Sequence, residues 1–121
     1  MRLVTMKQWD AFTALTNEIH EAMAQMGPIA HGLAVLVANT DPTDPAQVAI
    51  PINAMRAGVE LKKRAEELLE RFEVMAKICT GEKRRPDESL MEFVERFCTM
   101  EDAEISGAMA KNGVRLVGRY R

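Results

Sequence analysis

In residues 53–81, NAMRAGVELKKRAEELLERFEVMAKICTG, apolar side chains recur in alternating steps of four and three: Leu61, Ala65, Leu68, Phe72, Met75 and Cys79. That spacing is a seam along one face of an α-helix, turned toward a partner helix. Glu60, Lys62, Lys63, Arg64, Glu66, Glu67, Glu70, Arg71 and Glu73 lie between the seam positions and make a solvent face of mixed sign. That face offers i,i+4 pairs such as Glu67–Arg71. Gly81 is a natural stop for the helix.

An earlier stretch, residues 6–40, carries a second seam of the same kind: Phe12, Thr16, Ile19, Met23, Met26, Ala30, Leu33 and Val37. Gly27-Pro28 interrupts it, because proline lacks the backbone donor and clashes with the preceding turn. The seam keeps its phase across the break. The pattern therefore predicts one helix kinked at Gly27-Pro28, or two helices with a tight joint.

Between the two seams, residues 39–45 (NTDPTDP) are a turn by composition. Asp44 is placed to cap the next helix, with Pro45 at its first position and Gln47 at a capping-box-like spacing. Pro51 then implies either a short separate first turn or a main helix that starts near Pro51. Two long helices with a short joint predict an antiparallel hairpin. A lone hairpin cannot cover both seams and also Leu36, Val59 and Leu69, so the pattern asks for further helices from the same chain or from another subunit.

Beyond Gly81, Pro86 is expected to open a third helix, with Leu90, Phe93, Val94 and Phe97 as its apolar stripe. Thr99 is expected to cap a fourth, with Asp102 three residues on and Ile105 and Met109 one turn apart. Asn112-Gly113 ends it. The closing segment alternates like a strand, with Val114, Leu116 and Tyr120 on one face and Arg115, Val117, Arg119 and Arg121 on the other. It repeats the Arg-Leu-Val triplet of residues 2–4, so the two segments are expected to pair as a small sheet, within a subunit or across an interface. The expected fold is all-α and single-domain: a long hairpin over 1–81, a helix pair over 82–113 and a basic extended tail over 114–121.

Composition narrows the functions worth weighing. At 121 residues the chain has one domain's worth of core, and aromatics are only 5% against nine methionines, so aliphatic and thioether packing must dominate. A net charge of −2 supplies no global pull toward nucleic acid or an anionic membrane. The chain opens without a sustained apolar segment of the secretory type, and its most apolar run, residues 29–38, is about half a bilayer span. A cytoplasmic protein with no membrane partner is expected. Cys79 and Cys98 suit reduced core positions, and neither has a neighbouring His to activate it. His20 and His31 are eleven residues apart, too far along a helix to share a metal. Trp9 reads as a packing anchor. No cofactor motif is present.

Three functions remain. The first is a non-enzymatic homo-oligomeric interaction or adaptor protein, of the small Met-rich kind that phages and mobile elements encode. It would use Phe12, Ile19, Met23, Met26, Leu33, Val37, Leu61, Ala65, Leu68, Phe72, Met75 and Cys79 as its core or subunit seam, with itself or another protein as partner. Charge layout agrees, with an acidic run from Pro86 to Glu104 followed by Lys111, Arg115, Arg119 and Arg121.

The second is a small DNA-binding protein. Residues 92–113 have the rhythm of a helix-turn-helix, with Lys111, Arg115, Arg119 and Arg121 on phosphate and Tyr120 stacking. Glu101, Asp102 and Glu104 crowd the end that would meet the polyanion, where they complement the helix dipole instead.

The third rests on the strings Glu66-Glu67-Leu-Leu-Glu70 and Glu92-Phe-Val-Glu95. They resemble the motifs of the all-α, magnesium-dependent nucleotide pyrophosphatases of the MazG kind. That resemblance covers only these residues, and Glu95 stands where the family's second motif ends in Asp. It implies Mg²⁺ held by Glu66, Glu67, Glu70, Glu92 and Glu95 against a triphosphate.

Overall fold

The structure, a computed structural model, describes residues 1–118. Strand β1 (Arg2–Thr5) runs into helix α1 (Met6–Ala38). A six-residue loop leads to α2 (Pro45–Thr80), and α3 (Leu90–Thr99), α4 (Asp102–Lys111) and strand β2 (Val114–Val117) follow. Among the described residues the fold is all-α with one small strand pair. It divides into two compact units: residues 1–18 with 68–121, and residues 19–67.

The first unit holds all four phenylalanines of the chain. Phe72 is fully buried and meets Phe12, Phe93 and Phe97 at centroid distances of 5.0, 5.7 and 5.6 Å. Phe93 and Phe97 meet edge to face at 5.3 Å, the arrangement the ring quadrupoles prefer. Leu15, Leu68, Ala76, Cys79, Val94 and Met109 are also buried in this unit. Trp9 packs its ring edge-on to Phe12 at 5.7 Å.

Strands β1 and β2 pair in parallel, with Arg2 opposite Val114, Leu3 opposite Arg115, Val4 opposite Leu116 and Thr5 opposite Val117. Val4 and Val114 are buried, while Leu3 and Arg115 are exposed on the other face. So short a pair is marginal by itself. Side chains around it tie it to the end of α2. Arg2 donates a guanidinium hydrogen bond to the Lys77 carbonyl, and Asn112 Nδ2 donates to the Thr80 carbonyl (3.0 Å) and to Glu82 Oε1 (3.0 Å). The Lys77 carbonyl already accepts from the Gly81 N–H (3.0 Å), so Arg2 adds a second donor there, while Asn112 supplies one to Thr80 at the negative end of the helix dipole, where the last carbonyls lack intrahelical donors. Gly81, at φ +76°, turns the chain out of α2.

Several boundaries differ from the sequence expectation. Helix α1 runs as one helix through Pro28, the first of the two forms expected, whereas α2 starts at Pro45 and continues through Pro51 without the expected break. Each proline costs one backbone hydrogen bond, which the rest of a helix more than thirty residues long outweighs. Helix α3 starts at Leu90, since Pro86-Asp87 is a turn and the cap is Ser89. Ser89 Oγ accepts from the Glu92 N–H (3.1 Å), and Glu92 Oε1 accepts from the Ser89 N–H (3.2 Å), a reciprocal capping box. Thr99 is the last residue of α3 and donates its hydroxyl to the Arg96 carbonyl (3.1 Å); Glu101 precedes α4 without a side-chain cap bond.

The loop before α3 is held by Arg96. Its Nε and one terminal nitrogen donate to the two oxygens of Glu88 (3.0 and 3.1 Å), and it also reaches Glu82 Oε2 (3.4 Å) and the Lys83 carbonyl (3.1 Å). Its guanidinium carbon lies 5.0 Å from the Phe93 ring centre. The Arg96 hydrogen bond holds the Glu88 carboxyl below its ordinary pKa, against the opposing effect of burial.

Candidate interaction surface

The second unit is the end of the hairpin. Between Glu21 and Asp41 the chain has no Asp, Glu, Lys or Arg, and there is none between Asp44 and Arg56. The connecting loop is well built. Asn39 Nδ2 donates to the Val35 carbonyl (2.9 Å) and Thr40 Oγ1 to that of Leu36, closing the end of α1. Asp41 Oδ1 accepts from the Thr43 N–H (2.9 Å) and hydroxyl (2.7 Å), and the hydroxyl bond is the larger cause of a lowered Asp41 pKa.

Asp44 Oδ1 accepts from the Ala46 N–H (3.0 Å) and caps α2. Gln47 does not reach back to Asp44, whose N–H is already bonded to the Asp41 carbonyl (3.2 Å). Its Oε1 accepts from the Asp41 N–H instead (2.9 Å). Two carboxylates thus sit fixed at the loop.

Within this unit α1 and α2 lie side by side. A methyl added at Gly58 would touch Ile29 at 3.6 Å. Met26, Ile29, Ala30 and Leu33 of α1 and Met55, Gly58, Val59 and Lys62 of α2 line an open apolar groove of about 280 Å³. In the same unit Met23, Val35, Leu36, Val37, Ile50, Ile52, Met55 and Val59 each expose between 37% and 62% of their surface. Isolated exposed hydrophobes are ordinary, but a charge-free helical stretch with large aliphatic side chains exposed in several directions is not. A helix that is apolar all round belongs in an interior.

The positions singled out from the sequence divide between the two units. Phe12, Ile19, Ala65, Leu68, Phe72 and Cys79 are buried; Met26, Leu33, Leu61 and Met75 are half-buried; Met23 and Val37 are exposed. Leu15, Ala22 and Ala76, absent from the expected seam, are also buried. Lys111 and Arg115 are exposed, while Arg119, Tyr120 and Arg121 lie outside the described residues. Glu101, Asp102 and Glu104 are exposed over the first turn of α4, where they would repel a polyanion.

Glu66, Glu67, Glu70, Glu92 and Glu95 are exposed, and among the described residues no group of three or more His, Cys, Asp or Glu is arranged to hold a metal ion. Burial raises the Cys79 thiol pKa, with Arg2 opposing it. That thiol faces the Gln8 carbonyl at 3.7 Å, an inert environment. Among the described residues no helix is long and apolar enough to cross a membrane.

Arg96 was not visible as a structural hub from sequence. The signal that would have found its loop is Ser89-x-x-Glu92, a capping box three residues past Pro86. Set against protein-family models, curated proteins and solved structures, the chain matches none.

Proposed function

We propose that the protein is a non-enzymatic interaction module that self-associates through the hairpin end of its second unit, where residues 22–40 and 45–55 carry no charged side chain. The observation that carries this reading is the exposure of seven large apolar side chains in two stretches, 22–40 and 45–55, that have no charged residue. Fully burying such a side chain contributes ~1.5–3 kcal/mol, so covering seven half-exposed ones contributes roughly 5–10 kcal/mol. Association costs about 4–15 kcal/mol. One copy's surface set against a polar partner barely offsets that cost. A contact to which both partners bring the same surface doubles the gain, which favours a second copy.

Light scattering across a concentration series tests the proposal. The expected result is a mass that rises above one chain at micromolar concentration and falls back in Ile52→Asp, whose site is exposed, without loss of helicity. A mass of one chain throughout the series refutes it.

A further inference from the structure

We infer that the contact is a two-fold, antiparallel packing of α2 against α2 of a second copy, with the loop of each copy beside the Lys62-Lys63 pair of the other. This rests on the self-association just proposed and gives the geometry of its α2 part; Met23, Val35, Leu36 and Val37 of α1 lie outside the stripe.

The argument starts from a single stripe. Asp44, Val48, Ile52, Met55, Val59 and Lys62 follow one another in steps of four, four, three, four and three, so they fall on one face of the helix that Asp44 caps. Ile52, Met55, Val59 and Lys62 are exposed, and Asp44 and Val48 are half-buried. The stripe begins with an acid, ends with a base and is apolar between.

Its order is self-complementary. Reversed about a point between residues 53 and 54, Ile52 falls opposite Met55, Val48 opposite Val59, and Asp44 opposite Lys63, next to Lys62. A two-fold axis requires this of any helix that packs on itself antiparallel, since each residue must suit the residue it meets. A parallel pairing would set Asp44 against Asp44 and Lys62 against Lys62, like charges with no compensation. The hydrogen bond from Thr43 keeps Asp41 anionic beside Asp44, so the loop presents two negative charges to the partner's two positive ones. Lys62 also lines the apolar groove, where its aliphatic stem covers apolar surface while its ammonium reaches out.

Within one chain Asp44 and Lys62 are 18 residues apart on α2, about 27 Å at 1.5 Å per residue. A zero-length carbodiimide cross-linker cannot join them inside one copy. The test is to cross-link the intact protein, isolate the species of doubled mass and map the joined peptides. The expected result is loop peptides containing Asp41 or Asp44 joined to peptides containing Lys62 or Lys63. In parallel, Lys62→Glu with Lys63→Glu should weaken the dimer about tenfold at low salt, and the effect should shrink at high salt.

A dimer whose cross-links avoid the loop, and whose affinity ignores the charge reversal, overturns the antiparallel geometry and leaves self-association standing. A protein of one-chain mass at every concentration overturns both, and leaves the stripe to the helix of a different protein.

Discussion

Arg96→Lys tests whether the loop between α2 and α3 is held by geometry or by charge alone. Arg96 makes a fork-to-fork pair with Glu88 and touches the Lys83 carbonyl and the Phe93 ring, and only 18% of its side chain and 9% of that of Glu88 are exposed. Hydrogen bonds to charged groups contribute ~1.5–3 kcal/mol, and a partly screened cation–π contact ~0.5–1 kcal/mol. Arg96→Ala should therefore cost about 2–4 kcal/mol, because it also leaves Glu88 nearly buried without its main partner. Arg96→Lys keeps the charge and loses the planar fork, and should recover less than half of that.

The assay is urea denaturation, with Glu88→Gln to complete a double-mutant cycle. The sign of the pH dependence follows from the lowered Glu88 pKa. A carboxyl whose folded value lies below its unfolded value of about 4.3 stabilises the fold above that value, and the contribution is lost as pH falls through the folded value. The gap between wild type and Glu88→Gln should thus be full at neutral pH and close in acid. An Arg96→Lys variant within about 0.5 kcal/mol of wild type, or a gap that widens in acid, refutes the account.

Phe72→Ala removes a fully buried ring from contact with three others, and should cost about 3–5 kcal/mol or more by the same assay. Gly81→Ala places a Cβ 2.4 Å from that of Asn112 at a φ of +76°, so it should lower the melting temperature by several degrees, equivalent to more than about 1 kcal/mol. Val4→Ala empties a fully buried site under the strand pair, and should cost about 2 kcal/mol in thermal denaturation while leaving the oligomer mass unchanged.

The hairpin, the two shorter helices and the pairing of the Arg-Leu-Val segments were legible because each rests on local pattern. Heptad spacing, an Asp-Pro turn, an Asn-Gly stop and matched strand propensity need no knowledge of the rest of the molecule. What sequence left open depends on rotation and position in three dimensions. Phe12 and Ile19 belong to the seam in any reading, but residues 15 and 16, or 22 and 23, straddle it. Packing buries Leu15 and Ala22 and leaves Met23 exposed. Thr16, half-buried, donates its hydroxyl to the Thr13 carbonyl at 2.6 Å. The start of α3 was misplaced because a proline at 86 and a serine at 89 are both acceptable helix openers, and Glu92 decides between them through a bond that only the folded backbone allows. Arg96 resembles any surface arginine until the loop folds over it.

The two units also differ in what fixes them. The first is specified by directional contacts: four phenylalanine rings at defined angles, a parallel strand register, and side chains tied to the end of α2. The second has no Phe, Trp or Tyr, and the large apolar side chains it exposes are aliphatic and methionine, which fill space and tolerate rearrangement. A segment with few buried apolar side chains opens locally at low cost until something covers it. Self-association would supply that cover, so amide hydrogen exchange in residues 23–38 and 45–60 should slow as protein concentration rises, while exchange around Phe72 and Phe93 stays constant. Exchange in the hairpin that ignores concentration would separate its stability from assembly and remove the physical reason for a charge-free surface there.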